Sequence, residues 1–173
     1  MSETQSGASV ALAAEGSANV ETGLPVLDHL VAELARAGRF RIALEVAPDS
    51  TGEAVAAAAT ALGGAFRGRL LAGAGWALVP AAEALASAAL EVDEEPRLVT
   101  NADFSDSRVG GVSNDVASRF LAGLARGAGI NLHVRVLEGD DPQHVLAAIF
   151  KAVGAALGQA CRPAQTTDRE ESS

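Results

Sequence analysis

Two stretches of this chain lie over one another: LARAGRFRIALEV (34–46) over LARGAGINLHVRV (124–136), at an offset of 90 residues. One inserted residue later, ALGGAF (61–66) lies over AVGAAL (152–157) at an offset of 91. A chain that repeats itself at this spacing is built from two copies of one supersecondary unit. Each copy reads as strand, strand, helix, strand, helix. In the first, strands 3–13 and 17–22 flank Glu15-Gly16, with the glycine read as a turn. Helix 25–37 follows, with Pro25 in its first turn and Gly38 just past its end. Strand 39–47 places Phe40, Ile42, Leu44 and Val46 on one face, and helix 53–70 closes the unit. The second copy has strands 83–92 and 96–104 around Asp93-Glu94-Glu95-Pro96, helix 113–127, strand 129–137 and helix 142–160. Its strand 129–137 alternates Ile130, Leu132, Val134 and Val136. The expected architecture is a single α+β domain over 1–173, with repeats at about 3–71 and 83–160. Each pseudo-symmetric ββαβα half is a mixed sheet with helices packed on one face. Residues 163–173 read as a solvated, disordered tail. Helices 53–70 and 142–160 are apolar nearly all round, which predicts that they are covered twice. A second subunit is the expected cover, hence a homo-oligomer.

Composition narrows the function classes. A net charge of −9 and a pI near 4.7 argue against a nucleic-acid or anionic-membrane surface, which needs clustered Lys and Arg. With no tyrosine and one tryptophan, stacking platforms for single strands are not expected. No stretch approaches the roughly 18–20 uninterrupted apolar residues of a membrane span. The opening MSETQSG lacks a basic region followed by an apolar core, so no signal peptide is expected. One cysteine, Cys161, leaves no disulfide framework or cysteine cluster. The expectation is a cytoplasmic protein.

There are three histidines: His29, His133 and His144. His144 opens the last helix, where the first half has Glu53, and His133 lies on the strand before it. Those two are expected to converge across the short loop LEGDDPQ. His29 is off the core stripe of Leu27, Leu30, Val31 and Leu34, with Glu33 and Arg36 beside it at i+4 and i+7. It can meet the others only across the pseudo-dyad or a subunit interface. Scattered surface histidines and a metal site both fit at this point, histidine being the commonest metal ligand.

Longer tracts go further. TGLPVLDHLVAELARAGRF (22–40), TALGGAF (60–66), PAAEALA (80–86), VGG (109–111) and NLHVRVLEGDDPQHVLAAIFKA (131–152) occur in that order. On these the chain resembles the imidazoleglycerol-phosphate dehydratase family of histidine biosynthesis, over almost its whole length. The resemblance implies a duplicated α+β fold that assembles from trimers into a larger shell. It also implies active sites between subunits holding two Mn²⁺ ions. In the family the ligands come from the histidines of "LDH" and "NLH" and from two HHxxE motifs. A helix that opens with such a motif sets imidazole and carboxylate on one face, and both suit octahedral Mn²⁺. The metals stabilise the charge that develops on the substrate imidazole.

This sequence departs from that pattern where the chemistry lies. The first HHxxE falls on Gly52-Glu53-Ala54-Val55-Ala56, and the second on Gln143-His144-Val145-Leu146-Ala147. His29, His133 and His144 are a remnant ligand set, and Gly52, Glu53, Ala56, Gln143 and Ala147 stand at lost positions. The family's "SGRP" arginine falls on Glu95, with Arg97 two places on. The family's C-terminal "PSTKG" loop has no counterpart in RPAQTTDREESS. Lys151 in FKA and Arg119 remain as phosphate-binding candidates. Glu3 matches a family glutamate at the active site and is the acid–base candidate. Asp28 and Glu33 flank His29 and read as helix-surface carboxylates. Three imidazoles can hold one transition metal if they converge, Zn²⁺ with water among the choices, but not a two-manganese centre. The expected function is a catalytically impaired or inactive paralogue with a structural or regulatory role. It would be a homo-oligomer, trimer or larger, or would co-assemble with an intact dehydratase. A working dehydratase with a reduced or partner-completed site, acting on a small phosphorylated imidazole, is the alternative. A different one-metal protein is the third reading.

Overall fold

A computed structural model describes residues 7–46, 52–102, 108–109 and 112–163. The first half comprises β1 (Gly7–Leu12), β2 (Ser17–Glu21), α1 (Pro25–Gly38), β3 (Phe40–Glu45) and α2 (Gly52–Arg67). A further strand, β4 (Ala74–Ala81), precedes the second half. That half comprises β5 (Ala84–Val92), β6 (Arg97–Thr100), the short ribbon β7 (Arg108–Val109) and β8 (Val112–Ser113), α3 (Asn114–Ala128), β9 (Ile130–Glu138) and α4 (Pro142–Cys161). The order β1-β3-β2 in one sheet is repeated as β5-β9-β6 in the other, with β4 added at its edge. In both, the central strand is antiparallel to the first strand of its half and parallel to the second. This is the mixed sheet expected from the repeat.

Each sheet buries the alternating apolar face of its central strand: Phe40, Ile42 and Leu44 in one, Ile130, Leu132 and Val134 in the other. Phe40 on β3 meets Phe66 on α2 edge-on, with centroids 4.9 Å apart. Phe120 on α3 meets Phe150 on α4 at 5.7 Å. The helices of one half then pack on those of the other, α1 against α4 and α2 against α3. The four helices form a layer between the two sheets. The second cover of α2 and α4 is therefore supplied within the chain, by α3 and by α1. The apolar character of these helices is explained without another subunit. α4 is long and apolar enough to cross a membrane by length and composition, but 67% of its most apolar window is buried in this core.

The two helix pairs make the same close crossing twice. A Cβ on Gly154 would lie 2.1 Å from the Leu34 carbonyl oxygen, and one on Gly63 2.3 Å from that of Leu124. Gly63 and Gly154 are equivalent at offset 91, and Leu34 and Leu124 at offset 90. Gly38 is committed to the same packing, since its Cβ would meet the Gly154 carbonyl at 2.4 Å. It is therefore the last residue of α1 rather than the residue beyond it. The left-handed position after the helix falls on Arg39, φ 57°, where the second half has Gly129, φ 70°. Gly16 is likewise not a hairpin turn. β1 and β2 do not pair with each other, and the residue lets the connection lie against the Ala35 carbonyl of α1.

β4 has no counterpart among the strands expected from the sequence. Its residues are apolar on both faces, with Trp76, Leu78 and Pro80 outward and Ala77, Val79 and Ala81 inward, so it shows no polar alternation. Pro80 is tolerated because β4 lies at the sheet edge.

Gly63→Ala and Gly154→Ala are each expected to lower unfolding free energy by about 1–3 kcal/mol, the cost of overpacking a tight contact. Gly64→Ala on the same helix, with nothing within 4 Å of its Cβ, is expected to be neutral or stabilising by up to about 1 kcal/mol. Chemical denaturation of the three variants distinguishes a tight crossing from a merely small residue.

Candidate functional site

α1 and α4 run parallel, since Leu34 faces Gly154 and Gly38 faces Gly158. Their N-terminal turns therefore diverge from one crossing and leave a groove between them, closed at one end by the β4–β5 turn. The groove encloses about 420 Å³ and is lined by His29 and Glu33 of α1, Gln143, His144 and Lys151 of α4, and Ala82 of the turn, among others. That volume suits a small molecule.

Each wall is braced by its own sequence. At α1, the Leu24 cap position supplies no side-chain bond. Asp28 folds back instead, its Oδ1 accepting from the Thr22 amide at 3.0 Å and from the Thr22 hydroxyl. This accounts for a buried threonine ahead of the helix and directs Asp28 away from the groove. At α4, Asp141 caps the helix by accepting from the Gln143 amide at 2.9 Å. Glu83, at the β4–β5 turn, accepts from the Asp141 amide at 3.0 Å and lies 2.6 Å from His144 Nδ1. The amides of Asp141 and of Glu83 itself, with the His144 ring, hold the Glu83 carboxyl down at about 2 from an ordinary 4.5. Glu83 thus pins the turn to α4 and fixes the His144 ring by one nitrogen. It was not singled out from sequence, although it sits in the PAAEALA tract.

On the α1 wall, Glu33 is shared by three basic side chains. Its Oε1 is 2.8 Å from Arg36 and 3.7 Å from His29 Nε2, and its Oε2 is 3.7 Å from Lys151 Nζ.

The three histidines do not gather within the chain. His29 and His144 share the groove, brought together from different halves by the α1–α4 pairing. His133 projects from the opposite face of β9, between Ala89 and Val99 of the neighbouring strands. There it lines a separate cleft of about 240 Å³ with Glu91 and Asn131. The expected convergence of His133 with His144 within one half is therefore incorrect. One lies on the open side of the sheet, the other at the head of a helix on the covered side. Among the described residues no group of three His, Cys, Asp or Glu side chains stands close enough to hold a metal.

The other candidates are dispersed. Lys151 lines the groove, whereas Arg119 is exposed on α3 and is not among the lining residues. Arg97 lies 3.8 Å from Asp93, and Glu95 sits in the same β5–β6 turn. Gln143 and Ala147 occupy the groove, and Gly52, Glu53 and Ala56 lie in the first turns of α2. Glu3 lies outside the described residues.

The sequence profile described as Imidazoleglycerol-phosphate dehydratase matches residues 22–157. A relative of that name from Pelobacter propionicus is 34% identical over 169 residues, 93% of this chain and 87% of the relative. The chain belongs to the imidazoleglycerol-phosphate dehydratase family. A further imidazoleglycerol-phosphate dehydratase from Chlorobium phaeobacteroides is 34% identical over 168 residues, 92% of this chain and 84% of its own. The crystal structure of the Staphylococcus aureus dehydratase superposes with a TM-score of 0.82 at 22% identity, covering 92% of this chain and 95% of that one. The Pyrococcus furiosus enzyme, solved in complex with (S)-C348, gives 0.77 at 22% identity, covering 98% and 97%. The dehydratase fold is therefore retained, and the family is one of metal-dependent enzymes of histidine biosynthesis.

His29, His133 and His144, divided between two clefts, do not by themselves form the ligand set that a metal-dependent family calls for.

Glu83 gives a pH signature. Its carboxyl is lowered in the folded state, so its stabilisation is present above the unfolded value near 4.5 and is lost as pH falls through about 2. Thermal melts of the parent and of Glu83→Gln are expected to differ at neutral pH and to converge across that window. A difference independent of pH would assign Glu83 a purely steric role.

Proposed function

We propose that this chain is a dehydratase-family paralogue without dehydratase activity, serving a structural or regulatory role in histidine biosynthesis. One observation carries the reading. The positions that would complete the metal ligands hold Gly52, Glu53, Ala56, Gln143 and Ala147, and the surviving histidines are divided between a groove and the far face of a sheet. No metal-dependent step is assigned to these residues. What the chain retains is the frame: the paired helices, the braced groove and the open sheet faces.

The proposed setting is the cytoplasm, in an assembly of trimer size or larger, either of this chain alone or together with an intact dehydratase. The outward apolar side chains of the second sheet support an interface, Trp76 at 59% exposure with Leu78 and Val99. An acidic chain with a net charge of −9 supports neither a nucleic-acid nor an anionic-membrane partner.

The test is elemental analysis of the purified chain together with turnover of imidazoleglycerol phosphate in added Mn²⁺. The expected result is no stoichiometric manganese and no turnover. About two manganese ions per chain with turnover would overturn the proposal, since the family chemistry would then be in place.

A further inference from the structure

Lys151 is the one lysine of the chain, and in the groove it already faces an anion. Glu33 Oε2 lies 3.7 Å from its Nζ, while Oε1 is held by Arg36 and faces His29. The carboxylate is the more enclosed partner, with 15% of the Glu33 side chain exposed against 33% for Lys151. Arg36 and the crossing of α1 on α4 therefore fix it in place. On the opposite wall, Glu83 stands against His144 in the same way.

A phosphomonoester carries between one and two negative charges at neutral pH and calls for uncompensated donors. Lys151 of the groove lining is set against Glu33, and the His144 ring against Glu83 of the β4–β5 turn, so neither faces the groove without a carboxylate beside it. Pro25, Val26, Leu30 and Leu146 add an apolar part to the lining, beside Gln143 and His29.

We infer that Glu33 is an internal anion standing where a ligand phosphate would meet Lys151, so that the groove disfavours phosphomonoesters. This deepens the reading above, since it takes the α1–α4 groove as the ligand pocket of the retained frame. Glu33 is thereby a specificity-determining residue. Removing its charge is the direct route to a phosphate site.

The test titrates inorganic phosphate into the full chain in a chelator-containing buffer, by calorimetry. It compares the parent, Glu33→Gln and the double variant Glu33→Gln/Lys151→Met. Glu33→Gln is expected to bind phosphate about tenfold more tightly than the parent, the effect of removing a partly exposed charge at this distance. The gain is expected to vanish in the double variant. Equal affinity in the parent and Glu33→Gln, no detectable binding by either, or a gain that survives loss of Lys151 would each overturn the inference. Circular dichroism confirms folding, and Glu33→Ala supplies the same comparison if the glutamine variant misfolds. The titration reads neither metal content nor turnover. A phosphate gain in a manganese-loaded, active protein would overturn only the earlier proposal, and no gain in a metal-free, inactive one would overturn only this inference.

Discussion

The approach of Gly154 to the Leu34 carbonyl, and its repeat at Gly63 and Leu124, is the contact on which the rest of the molecule depends. Helices normally pack with axes about 8–10 Å apart, set by the side chains between them. Removing the side chain at the crossing brings backbone onto backbone and leaves little freedom in angle or register. Because the contact is made once by each half's last helix on the other half's first, it joins the two repeats into one core. It also fixes which helices run side by side, and so which N-terminal turns share a groove. His29, Glu33, His144 and Lys151 come from distant parts of the chain and meet because of it.

Separation of frame from chemistry follows. The side chains that hold the frame, such as Phe40, Phe66, Phe120 and Phe150, are enclosed and in mutual contact. The positions at which the proposed ligand losses fall lie in the first turns of α2 and α4, apart from those aromatic contacts. A chain can lose ligands there and keep its fold. In the groove that remains, the lysine and the imidazoles are set against Glu33 and Glu83.

The repeat register exposed most of the architecture, because one offset aligned helices, strands and the glycines between them. Both central strands were legible from their period-2 alternation. β4 was not, since an edge strand apolar on both faces carries no such signal. The cover of α2 and α4 was legible as a need but not as a partner: periodicity says that a face is buried, not by which chain. The site was partly legible. Sequence tracts marked His29, His144 and Lys151, but the placement of His133 required the sheet. β9 turns alternate residues to opposite sides, and position 133 falls on the open one. Glu83 went unmarked for a different reason, and Glu33, read as a helix-surface carboxylate, is in fact largely enclosed. A carboxylate becomes a brace or a counter-ion only through partners 61 and 118 residues away in Glu83–His144 and Glu33–Lys151.

The proposed loss of metal chemistry from an intact dehydratase frame rests on a few positions in the first turns of α2 and α4. Calorimetric titration of Mn²⁺ into the parent and into a variant with Gly52→His, Glu53→His, Ala56→Glu, Gln143→His and Ala147→Glu tests it directly. The expected result is a folded variant that takes up manganese and a parent that does not. Equal uptake by both, or none by a well-folded variant, would contradict it.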